Sequence, residues 1–259
     1  MQIDSKKTQL KLIQRRSEVC QVKRWVQRLE AGLLRLDQQI QVADVQKGLD
    51  VTGRFWVFAI VQLSSGTIEY VTSNGRLAPP SPLFGIYAPP YCVVEVILNR
   101  SHSYSKGLAS AIKLPKDFPE EPVVFSVPSQ RCPASISEMG ELIHRAPNII
   151  RVGRGLNPSP LALRIKEAID RSYMLPETLS KIAAKLRISP AMMSRYFKKA
   201  YGMPPVRYRH YVRTMDGMMR LLDGEAVADV FQEVGFNDVS HFYRHFKRHM
   251  LAPPGRYRF

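Results

Sequence analysis

Arg195-Tyr-Phe-Lys-Lys-Ala-Tyr-Gly-Met-Pro-Pro-Val-Arg-Tyr-Arg209 returns 49 positions later as Arg244-His-Phe-Lys-Arg-His-Met-Leu-Ala-Pro-Pro-Gly-Arg-Tyr-Arg258. Arg, Phe, Lys, a basic residue, Pro-Pro and Arg-Tyr-Arg coincide in the two copies. A repeat of this period means one supersecondary unit used twice. Just upstream of each copy lies a helix start: Ser189-Pro190, a capping serine with a first-turn proline, and Asp238, a capping aspartate. The helices that follow carry apolar residues four apart, Met193 and Phe197 in one, Phe242 and Phe246 in the other. Each side chain in such a pair faces the same way on a helix, so each helix has a buried stripe and a polar remainder.

Working outward, the first copy is preceded by helices over 159–172, capped by Ser159, and 178–185, with Leu179, Ile182, Ala183 and Leu186 on its inner face. The tight Arg187-Ile188 turn makes a helix-turn-helix with the helix that runs to about Ala200. A long helix over 205–222, ended by Asp223-Gly224, leads to a helix over 225–233, the turn Val234-Gly235-Phe236-Asn237, and a helix to Met250. The offset between copies is 48 before this turn and 49 after it, so the second turn is one residue longer. Two units joined by one stiff helix suit DNA, because a major groove faces the same side only once every ~34 to 36 Å. A short capped helix fits the roughly 12 Å width of that groove.

Charge agrees with that reading. The chain has 38 Lys+Arg against 22 Asp+Glu; residues 1–149 hold 18 against 13 (+5) and residues 150–259 the remaining 20 against 9 (+11). The second half is therefore the expected polyanion-binding surface. Cys20, Cys92 and Cys132 form no CxxC, which argues against a disulfide scaffold, a zinc ribbon and a secreted compartment. The opening Met-Gln-Ile-Asp-Ser-Lys-Lys lacks the apolar run of a signal peptide, and no window approaches a membrane span. A cytoplasmic protein with no membrane partner is expected.

The first half reads differently. Val22, Val26, Leu29, Leu33, Leu36 and Ile40 are spaced 4, 3, 4, 3, 4, which predicts a helix over 15–41 with an a/d stripe. That stripe suits either a homodimer seam or a helix laid across the domain's own sheet. From Gly53 the period shortens: residues 55–63 and 67–72 read as two strands about a Ser64-Ser65-Gly66 turn, followed by strands over 91–98 and 120–128 and a helix over 135–145. Glu95, inside the apolar run Tyr91 to Leu98, needs a basic partner, a cavity or an edge. Residues 147–160 contain glycines, prolines and arginines with little periodicity and read as a linker. The expected architecture is α+β: a β-rich domain with helical additions over 1–146, a linker over 147–158, and an all-α domain of about seven helices with two helix-turn-helix motifs over 159–259.

The last 110 residues resemble the DNA-binding domain of the AraC/XylS family of bacterial transcription regulators. The resemblance rests on Leu179, Ile182-Ala183, Leu186, Ser189, Met193-Ser194-Arg195, Phe197-Lys198-Lys199, Gly202, Pro205 and Tyr208. It continues through Val234-Gly235-Phe236-Asn237-Asp238 to Lys247-Arg248, then Pro254-Gly255-Arg256-Tyr257-Arg258. It implies a bilobed domain that places two helices in successive major grooves of promoter DNA. Ala191, Ser194 and Arg195 of the first, and Val239, Ser240, Tyr243 and Arg244 of the second, would read bases. Lys198, Lys199, Lys247 and Arg248 would contact phosphates. It further implies a regulator that acts as an activator through RNA polymerase, with repression and weakly specific, architectural DNA binding as alternatives. The first half is loosely similar to the cupin-like sensor and dimerisation domain of that family, so a small-molecule effector, a protein effector and dimerisation alone stay open.

Three departures stand out: Phe231 follows Val230 where a small residue is usual, Leu251 replaces a glycine, and Arg213–Met218 does not align cleanly with the family's connector. Nothing in the sequence implies an enzyme or a cofactor; repair of alkylated DNA would need clustered, activated thiols. His241, His245 and His249 lie at i, i+4 and i+8, but no carboxylate completes a shell, and neutral or DNA-facing histidines account for the stripe, so no metal is expected.

Overall fold

The computed structural model describes residues 11–29, 32–72, 74–154 and 158–258. It is α+β, with a β-rich first part followed by helices, as the sequence implies. The strands are β1 (Lys11–Arg16), β2 (Cys20–Arg28), β3 (Leu34–Val42), β4 (Gln46–Val51), β5 (Trp56–Thr72), β6 (Gly75–Leu77), β7 (Leu83–Ala88), β8 (Val93–Ser110), β9 (Val123–Ser126) and β10 (Ile150–Arg151). All pair antiparallel in one sheet of order β1-β2-β3-β8-β5-β7-β9-β10, with β4 also on β8 and β6 on β5. Helix α1 (Ile136–His144), capped by Ser135, covers one face through Met139 and Ile143.

The helix expected over 15–41 is instead β2 and β3, in register from Cys20↔Val42 to Arg28↔Leu34. A spacing of four is even, so it satisfies a strand's period of two as well as a helical turn. The two spacings of three then send their residues to opposite faces. Val26 and Leu36, cross-strand partners, join the core shared with the helices, while Leu29 and Leu33 pack against the cluster that contains Trp56 and Phe58. Gly32, at φ +71, lies in the connection between the strands. Four of the six side chains of the supposed heptad thus pack with this chain's own cores and Val22 is buried, and the helical seam disappears.

The turn expected at Ser64-Ser65-Gly66 is also absent. Both flanking segments belong to β5, and both pair with β8, whose register shifts between Leu63 and Ser65 and again between Ser65 and Thr67. Gly66 sits in this bulge at φ +73, where a Cβ would lie 2.3 Å from the Arg100 carbonyl, so only glycine fits. Beyond the bulge the sheet folds over itself: Tyr70 packs edge-on to Phe84 of β7, ring centroids 6.3 Å apart, within a second apolar cluster.

The stretch expected as linker is partly ordered into the sheet. β10 pairs with β9, and Arg154 Nε donates to Glu95 Oε2 at 2.7 Å, giving that buried-strand carboxylate its basic partner. The second half contains α2 (Pro160–Ser172), α3 (Leu179–Lys185), α4 (Pro190–Tyr201), α5 (Pro205–Leu222), α6 (Val227–Glu233) and α7 (Val239–Met250), closed by a 3-10 turn at Pro254–Arg256. Together these are the seven helical elements expected. Among the described residues no helix is long and apolar enough to cross a membrane.

Candidate nucleic-acid interface

Each half of the repeat forms the same local structure. Ser189 Oγ accepts the Met192 N–H at 3.1 Å, and Asp238 Oδ1 accepts the N–H groups of Ser240 and His241. Those backbone donors hold the Asp238 carboxyl below its ordinary pKa, His241 first and Ser240 second. Four residues, 186–189, separate α3 from α4, and five, 234–238, separate α6 from α7, which is the one-residue difference read from the sequence. Arg187 at φ +57 makes the first turn and Gly235 at φ +90 the second.

Downstream, the repeated Pro-Pro-x-Arg-Tyr-Arg does one job in two settings. Tyr208, in the first turns of α5, packs on Phe197 with centroids 5.3 Å apart; Tyr257, after the 3-10 turn, packs on Phe246 at 5.3 Å. Both rings are fully buried. Their hydroxyls differ: Tyr208 donates to Asp170 Oδ1 of α2 at 2.6 Å, whereas Tyr257 donates to the Met250 carbonyl at the end of α7. The tyrosine thus anchors the core side of α4 and of α7.

The opposite sides are free. Met193 and Phe197 are buried in α4, and Ala191, Ser194, Arg195, Lys198 and Lys199 are all exposed. On α7, Phe242 and Phe246 are buried while Val239, Ser240, Tyr243, Arg244, Lys247 and Arg248 are exposed. Val239 and Tyr243, apolar or aromatic and each 41% exposed, leave hydrophobic surface in water at the outer face of α7. An open groove of about 580 Å³ at the start of α7 is lined by Arg213, Asn237, Asp238, Ser240, His241 and Arg244.

Helix α5 joins the two units by entering both cores. Tyr208 and Val212 belong to the cluster built on α2, α3 and α4; Met218, Met219, Leu221 and Leu222 belong to the cluster with α6 and α7. Its 18 residues span about 27 Å at a rise of ~1.5 Å each. Gly217 lets α7 approach, since a Cβ there would sit 3.1 Å from the Phe242 ring.

Two buried arginines of α5 carry a role that periodicity did not reveal. Arg209 donates to the carbonyls of Tyr173, Leu175 and Glu177, and Arg213 to those of Tyr173 and Leu175. They tie off the chain after α2. Burial lowers both guanidinium pKa values; for Arg213, with the charge of Arg209 beside it, to about 9. Arg213 also lies over the Phe236 ring, 5.5 Å from its centroid, and so touches the turn of the second unit. A Cβ on Gly235 would meet the Met174 carbonyl at 2.4 Å and Arg213 Nη2 at 2.9 Å. The signal was present in Arg213 and Gly235 as letters, but only the fold brings the two lobes to a common loop.

The histidine stripe turns toward α5. His245 Nε2 lies 3.0 Å from His241 Nε2, and the ring of His210, from α5, has its centroid 4.0 Å from that of His245 and 5.2 Å from that of His241. His249 stacks on Tyr211 at 3.7 Å and hydrogen-bonds Thr214 Oγ1. Burial, then the neighbouring positive groups, depresses the pKa of His210 to about 3, His245 to about 4 and His249 to about 3, so these rings are neutral at ordinary pH. His210 went unnoticed because it stands alone in the sequence of another helix.

A family described as "Helix-turn-helix domain" matches residues 182–259. The HTH-type transcriptional regulator MtrA of Neisseria gonorrhoeae is 30% identical over 109 residues, 40% of this chain and 35% of that protein. The uncharacterized HTH-type transcriptional regulator YdiP of Escherichia coli is 29% identical over 91 residues, 35% of this chain and 30% of that protein. The chain therefore spans about a third of the length of these curated relatives. Among solved structures, fatty-acid-bound ToxT of Vibrio cholerae aligns over 89% of this chain and 96% of its own, at 13% identity and a TM-score of 0.45. The matched region coincides with the two capped turns, their buried aromatic pairs and their exposed basic faces, and residues 182–259 are a helix-turn-helix domain.

Proposed function

We propose that this protein is a sequence-specific regulator of transcription that sets α4 and α7 into successive major grooves of promoter DNA. The observation that carries the reading is the paired arrangement: two capped helices, each with its aromatic anchor buried and its basic face free, held by one helix packed into both cores. Arg195 and Arg244 then supply bidentate contacts to guanine edges, Ser194, Ser240 and Tyr243 shorter polar contacts, and Ala191 and Val239 apolar contact with thymine methyls. Lys198, Lys199, Lys247 and Arg248 add affinity without sequence information. Activation through RNA polymerase is the mode the family resemblance implies.

Residues 1–146 form the regulatory unit in this proposal, and residues 159–259 the DNA-binding unit. A small-molecule or protein effector acting on the sheet would reach the reading helices through α5, with which β1, β2 and β3 share a core.

Selection of binding sequences from a random duplex pool tests the central claim. Selected sites should bind far more tightly than shuffled ones, and the Arg195→Ala/Arg244→Ala double variant should lose that preference. Equal affinity for selected and shuffled duplexes would replace this reading with architectural binding. A reporter placed behind a selected site then separates activation from repression by the sign of its response.

A further inference from the structure

We propose that His210, His241 and His245 form a binding site for a divalent transition metal of the zinc class, clamping the second reading helix to the connector. The site goes beyond DNA recognition and does not depend on it.

One ring nitrogen from each of the three residues falls within 4.8 Å of the others, and among the described residues no other group of histidine, cysteine or carboxylate side chains gathers in this way. His241 and His245 are one turn apart on α7, the spacing at which two imidazoles share one face of a helix and converge on one ion. Their Nε2 atoms are 3.0 Å apart, close to the ~3.3 Å separation of two ligands at ~2.0 to 2.1 Å from a tetrahedral ion. The third donor comes from α5, so it is placed by tertiary packing rather than by the local stripe. Partial burial of all three limits competition from water. His245 Nδ1 is buried and has no hydrogen-bond partner, so protein hydrogen bonding does not account for both nitrogens of that ring.

The donor set selects the ion. Three imidazoles without a carboxylate suit Zn²⁺, Cu²⁺, Ni²⁺ or Co²⁺ and not Mg²⁺ or Ca²⁺, which take oxygen ligands. Three histidines also leave one tetrahedral position for water, on a cluster whose His241 lines the open groove at the start of α7. An ion held there would link α5 and α7 directly.

Co²⁺ is the probe, because its visible absorption reports coordination geometry, with Zn²⁺ as competitor, added to the untagged full-length chain freed of metal by a chelator. One equivalent should bind with the spectrum of a four- or five-coordinate nitrogen site, and Zn²⁺ should displace it. His210→Gln and His241→Gln should each weaken binding by at least about tenfold, in line with the loss of a metal-site partner. His249→Gln, on the same helix but engaged with Tyr211 and Thr214, should leave it unchanged. Circular dichroism keeps the comparison to folded variants; His241, at the groove, serves if the His210 variant unfolds. Absence of Co²⁺ and Zn²⁺ binding by the native chain, or unchanged binding in the folded His210 or His241 variant, overturns the proposal.

Discussion

At the scale of single residues, the two copies of the repeat differ most at the end of the reading helix. Gly202 caps α4 at φ +73 and Leu251 caps α7 at φ +71, so both adopt the left-handed conformation that costs an L-residue ~1 to 2 kcal/mol. Surroundings explain the choice. A Cβ on Gly202 would touch Arg154 Nε and Glu95 Oε2, each at 3.4 Å, leaving little room for a larger side chain beside that ion pair. Leu251 instead packs against the core with Phe246 and Tyr257, and that burial offsets its strained backbone. Gly202→Leu should therefore destabilise the protein by about 1 to 2 kcal/mol from backbone strain alone, read as a fall in urea midpoint. Gly235→Ala should cost more, about 2 to 3 kcal/mol, since it combines φ +90 with a Cβ 2.4 Å from a carbonyl oxygen. At Arg244, a bidentate base contact predicts a loss of about 1 to 3 kcal/mol in affinity for a selected site on replacement by alanine, measured by fluorescence anisotropy; unchanged binding would remove it from the readout set.

At the scale of elements, what was legible in the sequence depended on whether one period dominated. The pairs Met193/Phe197 and Phe242/Phe246, each behind a cap, announce helices, and the structure buries all four. The eleven proposed DNA-contacting residues are those the family resemblance implies, and all eleven are exposed. In the first half the same logic misled. Val22 to Val26 and Leu36 to Ile40 are steps of four, compatible with either period, and the strand register is set by long-range pairing with β8 that no local window contains. The bulge in β5 was hidden for the same reason, since Ser-Ser-Gly marks both a turn and a bend in a long strand. His210 and Arg209 were invisible because their partners lie on other elements. Since Leu29 and Leu33 pack against the cluster around Trp56 and Phe58, replacing both with serine should lower the thermal midpoint of the sheet; an unchanged midpoint would return them to the surface. On the reading helices, neutralising Lys198 and Lys247 together should reduce the slope of log K against log salt by about 2, if each touches a phosphate. An unchanged slope would place both ammonium groups away from the backbone.

At the scale of the whole molecule, the sheet is fastened to the connector that sets the two reading helices. Ile13, Val26, Leu34 and Phe55 share one cluster with Met218, Leu222 and Phe242, and Val51 and Val93 share another with Tyr208 and Val212. Gly53, at φ +58, brings the loop before β5 onto α5, where a Cβ would stand 3.1 Å from Met215 Cβ. Beside it Arg54 Nε lies 2.6 Å from Asp216 Oδ1, and Arg220 Nε lies 3.3 Å from Asp216 Oδ2. Asp216 is 1% exposed, so its carboxylate depends on these two cations for the solvation it has lost. Arg54 comes from the loop before β5 and Arg220 from α5 itself. Removing Arg54 leaves Arg220 in place, and the Arg54 side chain is 40% exposed, so Arg54→Ala should cost about 1 to 2 kcal/mol rather than the ~3 to 5 of a fully buried pair. Arg220→Ala should cost a similar amount and also releases Glu225 and Glu233. The double variant strands the carboxylate without a cation, so its loss should exceed the sum of the two single losses. A double-mutant cycle by urea unfolding reads that excess as a coupling energy on the order of 1 kcal/mol or more. Strictly additive losses would mean that Asp216 is satisfied without Arg54, and that the apolar clusters alone carry the connection between the β-rich half and the helical half.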